Sequence, residues 1–408
     1  MQNPAHAREF IARQLPHALE MLRKMVEINS YTANSKGVNE LGRLTAECFG
    51  DLGFKPEFVP SRFPEFGSHL VMTRRGKSPR NIAFVSHLDT VFPPEEEERN
   101  NFHWLIEGDR IFGPGTHDIK GGTVMMWLVL KALEAQSPEV FTDITWQLFL
   151  NSSEEQFSPD FGELCRSRFN DKTLAALVFE AEGRLGDEGL MVVARKGRAT
   201  WRVTIGGRGA HAGGKHQHGA NAIVQAGSVA QKIAGLTDYS SGLTFNVATI
   251  NGGTVLNRVP HEVVIEGEFR AFTAEVFATG RERFLSLSGT GDVRSKVDGY
   301  ACQIRAEILT ESRPWPRNTA TDHLYELWCE AGEKVGVPTS YEERGGLSDG
   351  NMIWDTVPTL DGLGPWGDND HCSERSADGS KVPEYVLASS FVPKALVNVA
   401  AIEKLAQG

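Results

Sequence analysis

The stretch NIAFVSHLDT, residues 81–90, decides how the rest of the chain is read. Ile82 to Val85 is a short unbroken apolar run with β-branched and aromatic members, the pattern of a strand buried on both faces in a parallel sheet. Polar residues follow at once: Ser86, His87 and, after one leucine, Asp89. In open α/β sheets, chemistry collects in the crevice beyond the carboxyl ends of the strands. A His in that place, with a carboxylate two residues on, suits a metal ligand whose other ring N–H is held by an acceptor. A structural His–Asp pair would account for the same residues, so the decision passes to the ends of the other strands.

Upstream, residues 7–28 and 38–52 carry apolar residues at helical spacing, and 54–59 and 69–73 read as strands. The run Glu95 to Glu98 reads as a solvated loop, because consecutive residues on a regular backbone cannot converge on one ion. Downstream comes GPGTHDIKGG, residues 113–122, ahead of an apolar helix at 123–134. Four glycines and a proline around Asp118 predict a tight loop opening a helix, with Asp118 either a functional carboxylate or a helix cap. His117 is expected to point elsewhere. A further buried strand, 144–150, ends in Asn151-Ser-Ser-Glu-Glu155, where Glu154 and Glu155 point in different directions. One can bind metal while its neighbour handles a proton. Another strand, 174–179, ends at Glu180, with Glu182 just beyond. Three strands therefore end in His87, the Glu154–Glu155 pair and Glu180, which chance explains poorly.

At 408 residues the chain is too long for one ordinary core. Near residue 194 its texture changes to strand 199–206, helix 219–234, strands 243–250 and 262–271, helix 274–288 and strand 301–310. That is the β-α-β-β-α-β order of a ferredoxin-like unit. The expected fold is α/β: a mixed, mainly parallel sheet flanked by helices (1–194 and 313–408), with the ferredoxin-like α+β domain inserted at 195–312. The inserted segment carries His211 in a Gly-rich loop and Asn257 in the turn 252–258, with His216 and His218 as exposed turn residues. The last part reads as helix 319–335, the loop RGGLSDG at 344–350, a strand near 357–361, the loop GPWGDNDH ending at His371, and a helix over about 384–405. A net charge of −11 disfavours nucleic acid and anionic membrane as partners. Five scattered cysteines without a CxxC pair favour a reducing compartment over a disulfide framework or thiolate zinc site. The N-terminal residues lack an apolar signal-like core, and the run Val124 to Leu133 is too short to span a bilayer. A cytoplasmic location is the expectation.

Taken together, SHLDT, GPGTHDIKGG, NSSEEQ, VFEAE and GPWGDNDH resemble, in order and over nearly the whole length, the M20 family of metallopeptidases. That group contains glutamate carboxypeptidases, aminoacylases and succinyl-diaminopimelate desuccinylase. The resemblance implies two divalent metal ions per chain, usually zinc, with cobalt or manganese as alternatives. His87 and Glu180 would hold one ion, Glu155 and His371 the other, and Asp118 would bridge them. Asp89 would orient His87, and Glu154 would be the general base. Two ions about 3.5–4 Å apart can share a water, lower its pKa and polarise a carbonyl. In relatives the inserted domain is a lid and dimer interface, so a homodimer is implied. His211 would stabilise the oxyanion in the partner's site. Asn257 and Arg270 match positions near the substrate, and Arg313, with the backbone at Gly345 and Gly346, matches the region that binds the substrate's free carboxylate.

The implied activity is cleavage of an amide or peptide bond next to a free carboxylate, on N-acyl amino acids or short peptides, in the manner of a glutamate carboxypeptidase. An aminoacylase-like amidohydrolase shares the same site, and a catalytically silent metal- and amino-acid-binding protein is the alternative from another class. One departure from the family bears on selectivity. Around Glu188 the chain reads GDEG, where an enzyme gripping a glutamate side chain would carry a basic residue; Arg184, Arg195 and Lys196 are the possible substitutes.

Overall fold

A computed structural model describes residues 4–185 and 188–407. The chain forms two compact units: Met1–Val193 with Arg317–Glu343 and Ser348–Gly408, and Ala194–Pro316 with Arg344–Leu347. The loop holding Gly345 and Gly346 thus belongs with the second unit, although its place in the sequence put it in the first.

The first unit is built on a six-stranded sheet in the order Lys55–Pro60, Ser68–Arg74, Thr145–Asn151, Asn81–His87, Thr173–Val178, Thr359–Leu360. The last four strands run parallel, and the first two join antiparallel, giving the mixed, mainly parallel sheet read from the sequence. Alternation along the strands divides the core. Ile82, Phe84, Leu148, Leu150, Ala175 and Leu177 face one layer, while Ala83, Val85, Phe149, Ala176 and Val178 face the other. A strand buried on both sides needs apolar residues at every position, which is why 82–85 is an unbroken run. On the first face the helix Lys120–Gln136 buries residues around its whole circumference, as a central core helix must. The helices Pro4–Val26, Thr319–Val335 and Phe391–Gln407 share that layer. No helix among the described residues is long and apolar enough to cross a membrane.

Two readings are corrected. Pro94–Asn100 is a helix, not a loop: Pro94 enters at the first turn, where its missing N–H costs nothing, and Glu95 to Glu97 sit against the positive end of the helix dipole. The final helix begins at Phe391, because residues 385–387 form a strand instead.

The second unit is a five-stranded antiparallel sheet, ordered Thr244–Gly252, Glu262–Ala271, Gly197–Gly206, Ala301–Ser312, Gly289–Arg294. Its first four strands have the ferredoxin-like order. The fifth, an edge strand at 289–294, falls between the helix read over 274–288, which stops at Leu285, and the strand read from 301, where the sequence reading assigned no element. Ala199, Trp201, Val203 and Ile205 alternate inward, as expected of a sheet with one covered face.

Glu182, just past the Glu180 strand, is fully buried against Lys394 of the last helix, and Trp366 Nε1 donates to its other oxygen. Two charges this deep are tolerable only as a pair. K394A should therefore lower stability by about 3–5 kcal/mol in equilibrium urea unfolding, far more than a surface lysine would.

Candidate metal centre

Parallel register brings the strand ends together. His87 lies beside Asn151 in the ladder, and Val85 beside Val178, so His87, the turn after Asn151 and Glu180 emerge at one edge of the sheet. Asp118 arrives from the glycine loop that opens the buried helix. A Cβ on Gly122 would lie 1.9 Å from the Phe179 carbonyl oxygen. Only glycine lets this helix rest on the backbone that leads into Glu180. The Asp118–Ile119 peptide is cis.

Two donor triads result, and both contain Asp118. In the first, His87 Nε2 lies 3.0 Å from Asp118 Oδ1 and 3.7 Å from Glu180 Oε1. In the second, His371 Nε2 lies 3.3 Å from Asp118 Oδ2 and 3.4 Å from Glu155 Oε2. Within each triad the donor atoms all lie within 4.8 Å of one another, close enough to hold one cation. The two oxygens of one carboxylate thus serve two sites.

The electrostatics are those of a centre that calls for positive charge. Burial, reinforced by the charge of Asp118, pushes the Glu155 carboxyl up to about 7. Its Oε1 is buried and makes no hydrogen bond. Bonding to Asp118 and Glu155 pushes the His371 imidazole up to about 11. Burial would raise Asp118, yet the two imidazoles hold it below the usual carboxylate range. Glu154 is raised well above that range, by burial first and then by Glu180, Asp349 and Glu155, with His87 opposing. A buried carboxylate oxygen without a partner, among imidazole and carboxylate donors, fits zinc or a similar divalent ion.

Four consecutive N–H groups of the turn bearing Glu154 and Glu155 are each accepted by a side chain. Ser152 N donates to His69 Nδ1 (3.2 Å), Ser153 N to Asn151 Oδ1 (3.0 Å), Glu154 N to Asp89 Oδ1 (3.0 Å) and Glu155 N to Asp89 Oδ2 (3.2 Å). Asp89 does more than the sequence reading allowed. The nearest acceptor for His87 Nδ1 is the Asp89 carbonyl at 3.0 Å, with its carboxylate at 3.4 Å. That carboxylate chiefly clamps the glutamate turn, and it also accepts from Thr32 Oγ1 at 2.7 Å. His69, in turn held by Asp160 at 3.2 Å, and Asp349, which accepts from Asn151 Nδ2 at 2.7 Å, were missed. Each lies far away in sequence and outside any metal-like spacing. His117, set aside in the sequence, meets the Asp370 carboxylate.

The remaining predicted residues lie in the second unit. His211 and Asn257 are exposed and share neighbouring turns, with Ala212 N donating to Asn257 O at 2.9 Å. His211 Nδ1 accepts from Gly213 N and Gly214 N at 3.2 and 3.0 Å. In a neutral ring this leaves the proton on Nε2. Arg270 is gripped by Glu268 and donates to Gly345 O at 2.8 Å. Arg313 is exposed, as are Gly345 and Gly346. Of the candidate basic substitutes, Arg184 stacks on Trp366 at 4.7 Å, while Arg195 is buried and donates to Gly346 O and Leu347 O. Lys196 Nζ donates to Thr244 Oγ1 at 3.3 Å. Gly186 and Asp187, half of the GDEG stretch, lie outside the described residues.

Residues 193–290 match the family model for the M20 peptidase dimerisation domain. The chain is similar to carboxypeptidase G2 of Pseudomonas sp. (strain RS-16), 27% identical over 376 residues that cover 90% of this chain and 86% of that protein. Its fold resembles aminopeptidase PepT from Bacillus cereus, with a TM-score of 0.73 at 23% identity, covering 96% of this chain and 99% of that one. It also resembles the Bacillus subtilis YXEP protein, described as a dinuclear metal binding peptidase, with a TM-score of 0.67 at 14% identity and coverage of 96% and 99%. Set beside the converging strand ends and the inserted ferredoxin-like unit, these likenesses support an M20 family metallopeptidase, a hydrolytic enzyme.

Proposed function

We propose that this enzyme uses two metal ions to cleave an amide or peptide bond next to a free carboxylate, as a carboxypeptidase acting on short peptides or N-acyl amino acids. The observation that carries the reading is the Asp118 carboxylate, shared between two donor triads. His87 and Glu180 would hold one ion, Glu155 and His371 the other, with Asp118 common to both. When bound, two divalent ions, zinc first given these donors, supply Lewis acidity and a water of lowered pKa. The near-full-length likeness to carboxypeptidase G2 supports the carboxypeptidase direction.

The chain's own residues divide the rest of the work. Glu154 is buried and has a raised proton affinity, so it is suited to take a proton from the attacking water and pass it to the leaving amine nitrogen. Asp89 fixes the backbone of Glu154 and the ring of His87 together. His211, with its proton on Nε2, is suited to donate to the oxyanion that develops on the scissile carbonyl in the partner subunit's site. Arg270, Arg313 and Asn257, with the backbone at Gly345 and Gly346, make up the set we assign to the substrate's carboxylate, for which a guanidinium fork is the natural partner. The matched dimerisation segment supports a homodimer through the second unit. All five cysteines are unpaired, which suits the reducing cytoplasm.

Two measurements test the reading. E154Q should keep its metal while turnover on a panel of acyl-glutamate, acyl-alanine, acyl-phenylalanine and dipeptide substrates falls by about 10²–10⁴-fold; near-normal turnover removes Glu154 as the base. D118A should lose both ions by elemental analysis, whereas H371A should retain about one, because only Asp118 touches both triads. Equal metal loss in the two variants would contradict a shared ligand.

A further inference from the structure

Glu384 is fully buried, and no metal-like motif surrounds it in the sequence. It stands at the start of the short strand Tyr385–Leu387. On one side that strand pairs with Arg110–Phe112, which leads into the glycine loop of Asp118. On the other it pairs with Gly367–Asp368, which leads into His371. The two loops part on either side of this one residue, and Glu384 bonds to both. Its Oε1 accepts the backbone N–H groups of His117 (2.8 Å) and Asp118 (3.1 Å). Its own N–H donates to the carbonyl of Cys372, next to His371, at 2.8 Å.

Further contacts tie the same loops. The His117 ring meets the Asp370 carboxylate, and it lies so close to Gly367 that a Cβ there would come within 2.5 Å of His117 Cδ2. Asn369 and His371 both hold positive φ, 66° and 64°, a conformation that a non-glycine residue keeps only when its surroundings enforce it. Two N–H groups could be satisfied by a neutral side chain at lower cost than a buried carboxylate. The expensive group sits directly behind the ligand that both triads share.

We propose that Glu384 is a positioning residue for the metal centre: its carboxylate fixes the Asp118 loop and its main chain fixes the His371 loop, so that one residue sets the spacing between the shared ligand and a ligand of the second ion. The proposal rests on the two-ion reading above. Removing the carboxylate leaves the main-chain tie to the His371 loop but frees the Asp118 loop from it. The second ion should therefore weaken most, because its spacing between Asp118 and His371 is lost, while the first keeps His87 and Glu180 on the strand ends and should weaken only slightly.

The test is a calorimetric zinc titration of the metal-free full-length protein as wild type, E384A and E384Q, with far-UV circular dichroism and melting of the metal-free forms as folding controls. In E384A the first ion should bind within about threefold of wild type and the second about 10–100-fold more weakly. E384Q keeps an oxygen for the two N–H groups and should recover most of that loss. Wild-type affinities for both ions in E384A, or E384Q as weak as E384A, overturn the proposal while leaving the two-ion reading intact. A wild-type protein that takes up no more than one ion sinks both. If E384A does not fold, H117A tests the same link from its other half: a second ion weakened severalfold supports it, and unchanged binding overturns it.

Discussion

Repulsion among buried carboxylates is the constraint on which the catalytic unit depends. Asp118, Glu155 and Glu180 converge on two imidazoles at one edge of the sheet, and Glu154 and Asp349 add their charge nearby. In a medium of low dielectric such a group spreads apart unless the backbone resists or positive charge arrives. Three formal negative charges set against two divalent ions would leave a net positive site, one suited to hydroxide and an anionic substrate group. The same crowding that makes the site costly to build makes it useful once loaded.

The fold resists the repulsion by tying down main chain, not only side chains. Asp89, Asn151 and His69 between them accept every N–H from Ser152 to Glu155, so the turn carrying two adjacent glutamates has little freedom to relax. Asp89 lies two residues past the strand that ends in His87, and it links Glu154, Glu155 and His87, the candidate base and two candidate ligands, through one residue. Glu384 does the corresponding job for the loops of Asp118 and His371. Buried polar groups connected in this way are rigid because each lost bond would leave an unsatisfied partner in a dry interior.

The second unit works by different physics. Its sheet buries one face under two helices, and its functional candidates sit on turns, in a loop and near the end of a strand rather than in a core. Arg270 illustrates the contrast. Three of its bonds go to Glu268 and Gly345, which orients the guanidinium while leaving part of its five-donor fork for a ligand. A guanidinium held this way suits a carboxylate by geometry, where the buried centre would act by field strength.

How much could be read from the chain alone follows from the range of the forces involved. An unbroken apolar run at 82–85 and a mainly apolar one at 144–150, followed by His87 and by Glu154–Glu155, announce strands with chemistry at their ends, because side-chain burial and polar termination are local patterns. The glycines at 113–122 announce a close-packed loop for the same reason. The acidic helix at 94–100 was hidden because four glutamates look like solvated chain until Pro94 and the helix dipole are weighed. The edge strand 289–294, GTGDVR, carries too little apolar signal to be read as an element at all. Glu384, His117, Asp370, His69 and Asp349 were illegible for a deeper reason: each acts on a partner many tens to hundreds of residues away, and even where a quoted motif holds one, the local pattern does not name its partner. Local sequence determined which residues could bind metal and which elements would carry them. Only the tertiary structure decided which of those elements share a sheet edge, and which distant carboxylates and imidazoles hold the ligands against their mutual repulsion, since hydrogen bonds and charges act through space rather than along the chain.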